Sequence, residues 1–428
     1  MNRWRPTAAL SRAVLVGGGG LGAGVLAGQP ALLVLTAPLV ACAALALVAR
    51  PSRRPVVSAR LDHVSLHEGQ GTTSRLHLVG AEDAEQVTRV ATRAAYLASH
   101  PADGRLSRLL STGTPDIEIS PRRWGRRVLG EEKVALTTRW AGFRWGPVSI
   151  NGSEMRVLPA TAAYDSRADT PRPLGLVGSH RSTRAGDGTE FSGIRAFEVG
   201  DRLRRINWRV SARTGRLHVT TARAEQDTGV LLVVDAIADH GRSDGIDGRA
   251  SSLDVTLRAA AAIAEHAVRE GDRVALRIVG GDCSQVGFGA GGLHLRRLLG
   301  TMAAVVPGDL HGHADRLRLR VTNGTTVIVL SPMLSELVGT AAATTVRRGL
   351  PTLVVDTLPA EVVPVTVPGA DVHIAGLGWR MRKLEREQVL SGLAAIGCPI
   401  VPWRGPGTLD DVLRRLTRRA ELPQIGTR

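Results

Sequence analysis

Two uncharged apolar runs near the amino terminus constrain this chain more than any other feature of its sequence. The first extends from Ala13 to Gly28, and the second from Ala31 to Ala49, after a short Gln29-Pro30 break. Each run is close to the lower end of the length that crosses a bilayer as a helix, about 17 to 25 residues. The brevity of the break favours a tight helical hairpin. The sequence therefore predicts two transmembrane helices within residues 1–50.

Basic residues flank this apolar region on both sides. Arginines precede the first run and follow the second before any acidic residue appears: Arg3, Arg5, Arg12, Arg50, Arg53, Arg54 and Arg60. Because arginine-rich flanks stay on the cytoplasmic side of a membrane, we expect both termini and the soluble part of the chain in the cytoplasm. The predicted location is the cell membrane, with two spans.

Three other interpretations of this region agree less well with its residues. A cleaved signal peptide needs a single apolar core, whereas the apolar sequence continues through a second run. Leu39–Cys42 imitates a lipoprotein cleavage box, but the run continues to Ala49. Gly17–Gly24 satisfies the GxGxxG pattern of dinucleotide-binding loops, yet no strand precedes it. Its spacing of small residues (Gly18 and Gly22, Gly20 and Gly24) favours close packing of two membrane helices.

The formal net charge of +16 suggests an anionic partner. Nearly all basic residues are arginines, scattered from Arg3 to Arg428, and Lys133 and Lys383 are the only lysines. No pattern of stacking aromatics among basic residues points to a nucleic-acid-binding module, so we expect no nucleic-acid partner. An anionic membrane surface accounts for the charge equally well.

The three cysteines, Cys42, Cys283 and Cys398, lie far apart and form no CxxC or Cys/His spacing. Such spacing argues against a disulfide framework or a zinc site and fits a reducing compartment. Cys283 and Cys398 adjoin apolar runs, which predicts small core residues there.

Residues 55–160 consist mostly of short runs in which apolar and polar residues alternate. The runs are Arg60–Gln70, Ser74–Gly80, Lys133–Gly142 and Trp145–Pro159. Gly69 and the Asn151-Gly152 pair are turn signals. Short strands at this spacing predict a small β-sandwich. Residues 161–187, rich in Pro, Ser, Thr and Gly, are predicted to be a linker.

Strands alternate with helices over residues 227–420. The predicted elements are strands at 229–236, 273–280, 325–331, 350–356 and 399–403, and helices at 252–270, 293–306, 334–349, 379–396 and 409–419. This alternation predicts a doubly wound α/β domain with a mostly parallel sheet. Ligands of such sheets bind beyond the carboxyl ends of the strands, so Asp235 is the natural place to look.

Charged and aromatic residues are unusually dense in the segment between these two regions, residues 188–226. Gly188–Val219 holds seven arginines, three acids and two of the four phenylalanines. The pattern resembles the signature of the bacterial domain-of-unknown-function 58 family through Glu190, Phe191, Arg195, Gly200, Asp201, Arg204, Arg205, Asn207, Trp208, Arg209 and Arg213. The family often has Asp where this chain has Asn207.

The resemblance implies a membrane protein with two amino-terminal spans, a β-rich segment and a carboxyl-terminal von Willebrand factor A-like domain. Genes of this family commonly stand beside those of MoxR-type AAA+ ATPases, so the resemblance implies an accessory role to such an ATPase. It also implies a place to test for metal. Metal-binding A domains carry Asp-x-Ser-x-Ser after the first strand, whereas this chain has Asp235-Ala236-Ile237-Ala238-Asp239.

We interpret the metal motif as degenerate, because Ile237 offers no ligand atom and Asp239 replaces a hydroxyl. Ser331 also stands where a second Asp is usual. We therefore expect no cofactor, and Mg²⁺ at Asp235 and Asp239 is the alternative. In the other interpretation, both carboxylates cap or turn the chain.

The arginine-rich segment has three possible roles. Asp201 can pair with Arg204 and Arg205, and Trp208 and Phe197 offer faces for guanidinium groups, which favours a salt-bridged structural joint. Arginines left exposed would instead form a docking surface for the ATPase. Catalysis is the least favoured role, because His218 has no evident nucleophile and Glu190 and Glu198 have no recognisable acid/base context.

Together these observations predict a non-enzymatic, membrane-anchored accessory or scaffold protein. No GxxxxGK[ST] phosphate-binding loop occurs, so ATP hydrolysis would come from a partner. The expected partner is a MoxR-type AAA+ ATPase in an envelope-related or protein-assembly process. The alternative is a stand-alone metal- or ligand-binding module of adhesion type.

Overall fold

The computed structural model describes residues 3–161, 185–198, 201, 203, 206–223, 229–309, 321, 325–362, 371–405 and 408, without the side chains of 185–192 and 221–223. The chain divides into two units: residues 1–159 with 244–248, and residues 160–243 with 249–428. Together they give a mixed α/β protein with two apolar amino-terminal helices.

The first unit begins with the helical hairpin that the apolar runs predict. Its segments are α1 (Ala8–Arg12), a π-helical turn (Ala13–Gly17), α2 (Gly18–Leu26) and α3 (Pro30–Val48). Ala8–Leu26 and Pro30–Val48 are each 19 residues long and apolar enough to cross a membrane, by length and composition.

Two glycines of α2 allow the hairpin helices to approach each other closely. A Cβ atom on Gly20 would lie 2.4 Å from Thr36 Cγ2, and one on Gly24 would lie 2.9 Å from Leu33 Cδ2. Gly18 and Gly22 have no such neighbour. The contact expected from small-residue spacing is therefore made by one of its two predicted pairs.

Twelve strands complete the first unit. They are β1 (Arg5–Pro6), β2 (Val56–Leu61), β3 (Ser65–His67), β4 (Thr72–Val79), β5 (Ala84–Ala91), β6 (Leu97–His100), β7 (Arg105–Leu109), β8 (Ile117–Pro121), β9 (Gly125–Val128), β10 (Glu132–Thr138), β11 (Phe143–Ile150) and β12 (Glu154–Leu158). They form a five-stranded antiparallel sheet (β1-β11-β10-β5-β7), a four-stranded antiparallel sheet (β2-β4-β8-β6) and a three-stranded mixed sheet (β3-β12-β9).

The hairpin is joined to the five-stranded sheet at its open end. Strand β1, just before α1, pairs with β11. Thr7 caps α1 by accepting a hydrogen bond from the Leu10 N–H, and its own N–H donates to the Gly142 carbonyl at 2.9 Å. Leu10 is buried with Ala43, Ala46 and Phe143. Apolar burial and β pairing together anchor the hairpin to the sheet.

A fully buried arginine lies inside the first unit. Arg89 is 0% exposed, and all five of its N–H donors reach acceptors: the Glu132 carboxylate, the carbonyls of Ser74 and Pro115, and the Ser74 hydroxyl. Glu132 is 3% exposed and also accepts from the Ser74 hydroxyl at 3.3 Å. Complete pairing is what allows these two charges to stay in the core.

Replacing Glu132 by Leu leaves the Arg89 charge buried without its counterion, so we predict a loss of about 3–5 kcal/mol of stability. The double variant Arg89→Met with Glu132→Leu should be less destabilised than the single variant, since no charge is left unpaired. Thermal unfolding of the full chain in detergent measures both. The exposed pair Arg75–Asp62 is the control, and its disruption should move Tm far less. Equal shifts for the two pairs would contradict the prediction.

The second unit begins with the segment that carries the family resemblance, then continues as an α/β unit. Its strands are β13 (Ala185–Ala196), β14 (His218–Arg223), β15 (Gly229–Asp235), β16 (Arg273–Val279), β17 (Gln285–Gly289), β18 (Thr326–Ser331), β19 (Thr352–Asp356) and β20 (Ile400–Pro402). Its helices are α4 (Trp208–Thr214), α5 (Ser252–Arg269), α6 (Gly292–Met302), α7 (Glu336–Arg347) and α8 (Val372–Ala395).

Six of these strands form one sheet, in the order β17-β16-β15-β18-β19-β20. All neighbours are parallel except β16 and β17. Every residue of β15 is buried, as its continuous apolar run predicts. Helix α5 begins at a capping box in which Ser251 and Asp254 exchange hydrogen bonds, and Gly271 follows its end with φ +90°.

The sequence predicted the position of α8 less accurately. It placed the helix start near Trp379, whereas α8 begins at Val372, after Asp371 accepts a hydrogen bond from the His373 N–H. Antiparallel β17 was not predicted. The predicted helix at 409–419 and nearly all of the predicted linker lie outside the described residues.

Asp272, at the start of β16, is a buried carboxyl with an unusual pKa. The residue is 4% exposed, and its Oδ2 accepts no hydrogen bond from any described residue. Burial, with the nearby Glu270 charge, raises the pKa of Asp272 to about 7. The folded state therefore holds a proton that the unfolded state has lost, over the range from about pH 4 to about pH 7.

Stability should consequently fall as pH rises through this range, and Asp272→Asn should remove that fall. At about pH 8 we predict that the variant is more stable than the natural chain, by up to about 4 kcal/mol. Thermal unfolding in detergent at about pH 5 and about pH 8 measures the difference. Asp282→Asn, the same change at an exposed site, is the control. An unchanged slope in Asp272→Asn would refute the prediction.

Candidate functional site

Three adjacent parallel strands of the second unit end in the same type of turn. The last residues of β15, β18 and β19 are Asp235, Ser331 and Asp356, and each side chain accepts the N–H of the residue two positions on. These bonds measure 3.1, 2.9 and 3.1 Å, respectively. Such side-chain turns stop a strand and redirect the chain. The polar residues that mark this edge in the sequence therefore shape its backbone.

Asp235 and Ser331 also bind each other. The Ser331 hydroxyl donates to Asp235 Oδ2 at 2.6 Å, while Asp235 Oδ1 accepts the Ile237 N–H. Burial raises the pKa of Asp235, and these two hydrogen bonds oppose the effect only in part. Both carboxylate oxygens are thus occupied by the protein itself.

Asp239 has a comparable structural role in the connection between β15 and α5. Its Oδ1 accepts the Leu253 N–H at 3.1 Å, at the start of α5. Among the described residues, no group of three or more His, Cys, Asp and Glu side chains is arranged to hold a metal ion. The hypothesis that both carboxylates turn or cap the chain agrees with these hydrogen bonds.

A cleft of about 780 Å³ opens at this edge of the sheet. Asp235, Asp239, His240 and Glu336 line one part of it, and Trp379 and Arg382 of α8 line another. Arg386 positions α8 there, because it donates to the Asp356 carboxylate and, at 2.8 Å, to the Pro332 carbonyl. The carboxyl-edge location expected from the sequence is therefore a real concavity in the second unit.

The residues from α8 and the histidine were missed by the sequence analysis. Burial and the Arg382 charge lower the pKa of His240, against the influence of Asp239, so its imidazole is neutral at pH 7. The His240 and Trp379 rings lie 6.0 Å apart between centroids. The Trp379 indole N–H is buried and reaches no acceptor among the described residues. The cleft thus offers a neutral imidazole, an aromatic ring and charges of both signs to a polar ligand.

The family-like segment forms a small structure of its own, built from β13, α4 and β14. The Arg195 guanidinium makes two hydrogen bonds to the Asp201 carboxylate, at 2.8 and 2.6 Å, which raises the pKa of Arg195. Asp201 also accepts the Glu198 N–H at 2.9 Å. This bidentate pair closes the connection between β13 and α4.

Asn207 caps the start of helix α4, because its side chain accepts the Val210 N–H at 3.2 Å. Asn and Asp are equally good helix caps, so the departure from the family at this position is neutral for the fold. His218 is engaged locally, since its Nδ1 lies 2.9 Å from the Arg216 carbonyl oxygen.

Several large side chains of this segment face solvent. Leu203 is 70% exposed and Trp208 is 68% exposed, and Leu217 adds a further apolar side chain at 45%. Arg209 and Arg213 of α4 are exposed as well. Whether Trp208 stacks inside a joint between the two units stays a prediction. We call these five side chains the exposed signature patch.

Other predicted signature residues are described only in part. Gly200, Arg204 and Arg205 lie outside the described residues, and Glu190 and Phe191 are described only as backbone of β13. Their roles stay predictions.

Comparison with known proteins identifies this segment and part of the sheet. Residues 193–362 match the family described as "Protein of unknown function DUF58". The uncharacterized proteins Rv1480 of Mycobacterium tuberculosis and Mb1516 of Mycobacterium bovis are each 30% identical over 171 residues, which are 38% of this chain and 52% of the relative. The chain thus spans about half the length of these curated relatives. No solved structure is significantly similar.

The chain therefore carries a DUF58 domain at residues 193–362, which includes all five residues of the exposed signature patch and the strand ends around Asp235. The resemblance noted in the sequence is confirmed for this region.

Both carboxylate oxygens of Asp235 already accept hydrogen bonds from the protein. We therefore predict that calorimetric titration of Mg²⁺ or Mn²⁺ into the full chain in detergent detects no binding of micromolar affinity. Asp235→Ala should instead lower stability by about 1–3 kcal/mol, since the Ser331 and Ile237 donors lose a buried acceptor. Asp235→Asn, which keeps one acceptor oxygen, should lose less. Micromolar binding that Asp235→Ala abolishes would overturn this interpretation.

Proposed function

We propose that the protein is a membrane-anchored, non-enzymatic accessory protein whose exposed signature patch docks a MoxR-type AAA+ ATPase. The hairpin would cross the cell membrane twice and leave both termini and both units in the cytoplasm. The process served would be envelope-related or a protein-assembly step. The partner class comes from the family resemblance, and the docking site comes from the exposure of the patch.

The exposure of Trp208 is the observation that carries this proposal. Tryptophan and arginine dominate the binding energy of protein interfaces, and large apolar side chains are seldom left in water without a use. Arg209 and Arg213 would meet acidic side chains on the partner, which favours the encounter and its orientation. A Trp side chain held at the start of a capped helix also loses little conformational entropy on binding.

The finer fold assignment is part of the same proposal. We infer that the second unit is a doubly wound, von Willebrand factor A-like domain, because its central strands are parallel and helices connect them. We infer that the first unit is β-sandwich-like, because its antiparallel sheets bury apolar cores.

The cleft beside Asp239 favours a second candidate, a stand-alone ligand-binding module of adhesion type. Its neutral imidazole and mixed charges suit a polar ligand. A ligand that raises Tm and binds through Trp379 and Arg382 without any ATPase would favour this candidate over docking.

We predict that Trp208→Ala lowers recovery of the AAA+ ATPase at least about tenfold, because an aromatic anchor contributes about 2 kcal/mol or more. Affinity capture of the full chain from native membranes, with a non-hydrolysable nucleotide present, measures the recovery. The Tm of Trp208→Ala should differ from that of the natural chain no more than is usual for a surface substitution.

Leu293→Ala, which removes another large apolar side chain at 84% exposure, is the control and should leave recovery unchanged. A photo-crosslinking residue at position 208 should trap the ATPase, and one at 293 should not. Capture that contains no ATPase, or that is unaffected by Trp208→Ala, would count decisively against the docking site.

A further inference from the structure

The turn Arg139–Gly142, which connects β10 to β11, lies at the open end of the helical hairpin. Thr7, the residue before α1, donates from its hydroxyl to the Ala141 carbonyl at 2.6 Å. A Cβ atom on Gly142 would lie 2.5 Å from the Ala46 Cβ, two residues before α3 ends. The turn therefore contacts both helices where they leave the apolar segment.

This turn holds a tryptophan outward in a fixed backbone conformation. Trp140 is 48% exposed, and both Trp140 and Ala141 have positive φ values, 62° and 51°. The Arg139 guanidinium carbon lies 5.8 Å from the centre of the Trp140 ring. Two successive non-glycine residues with positive φ are uncommon, and the hydrogen bonds from Thr7 hold them in place.

Three arginines of this turn and the adjoining strands have no carboxylate partner among the described residues. On the adjacent strands, Arg5 of β1 stands directly opposite Arg144 of β11. Like charges in that register destabilise a sheet unless a counterion joins them. Within the described residues, neither of these arginines nor Arg139 forms an ion pair, whereas the nearby Arg53 binds Glu82 at 3.2 Å.

We propose that Arg5, Arg139, Trp140 and Arg144 form a headgroup patch that binds anionic phospholipids at the cytoplasmic surface of the membrane. This headgroup patch depends on the proposed membrane insertion of the hairpin. That insertion places the open end of the hairpin, and with it the turn, at the level of the lipid phosphates.

The chemistry of the patch matches that level of the bilayer. Tryptophan is enriched at the membrane–water interface, where its ring contacts acyl chains and its N–H reaches water or headgroups. Guanidinium groups bind phosphate oxygens in pairs, and one phosphate between Arg5 and Arg144 would relieve their repulsion. The patch would thereby fix the orientation of the five-stranded sheet against the membrane.

The test uses the full chain in nanodiscs that contain equal amounts of phosphatidylglycerol and phosphatidylcholine. Native mass spectrometry of the released protein should show bound phosphatidylglycerol in excess. The pair Arg139→Gln with Arg144→Gln should reduce that excess about fivefold or more. Arg139→Lys with Arg144→Lys keeps the charge and should retain part of it.

The matched control is Arg105→Gln with Arg108→Gln. These exposed arginines lie on β7, at the opposite edge of the same sheet, three strand spacings or about 14 Å from β11. Replacing these two arginines should leave the excess of bound phosphatidylglycerol unchanged. An equal loss in the control pair, or no loss in the Arg139 and Arg144 pair, would overturn the proposal.

A second measurement addresses the tryptophan. Lipids brominated close to the headgroup should quench part of the protein fluorescence, and Trp140→Phe should remove that part while Trp208→Phe does not. Quenching unaffected by Trp140→Phe refutes the placement. Release of the chain by a carbonate wash would refute the insertion on which the patch depends. Neither result bears on ATPase capture, which is measured through Trp208.

Discussion

The hydrogen bond between Ser331 and Asp235 joins the two central strands of the parallel sheet at the edge where the cleft opens. It is 2.6 Å long, and both residues are buried. Each partner also stops its own strand by accepting the N–H two residues on. The direction in which the chain leaves β15, and therefore the position of Asp239 and His240, depends on this pair. A buried carboxylate bonded in this way fixes the backbone that forms the wall of the cleft.

Pairing with carboxylates separates the arginines into two groups with different roles. Arg89, Arg195 and Arg386 each bind a carboxylate and hold the fold together. Arg5, Arg139 and Arg144 have no carboxylate among the described residues and lie beside the hairpin. The net charge alone gave no means of telling these groups apart, because pairing depends on which strands are neighbours. An arginine that the fold has not neutralised is the one able to bind a phosphate or an acidic partner.

The sequence predicted the elements whose patterns are local. The length of the uncharged runs predicted the hairpin, and the alternation of strands and helices predicted β15 and α5. It failed where local signals are weak. Gly376 and Gly378 weaken the helical pattern of the first turns of α8, and Gly287 and Gly289 weaken the strand pattern of β17. The site was predicted only as far as Asp235 and Asp239. His240 and Trp379 are brought together by packing between residues far apart in the chain, which no short pattern records.

Trp208 shows how the signature segment can be both a structural element and a binding surface. The Arg195–Asp201 pair and the Asn207 cap fix the start of α4 within the signature segment. Once that backbone is fixed, the helix has one side chain too large and too apolar to be explained by solvation, and it stays 68% exposed. A rigid base lowers the entropy lost when such a side chain is buried by a partner. The paired residues of the segment therefore fix its backbone, and the proposed docking role falls to different residues, the exposed ones.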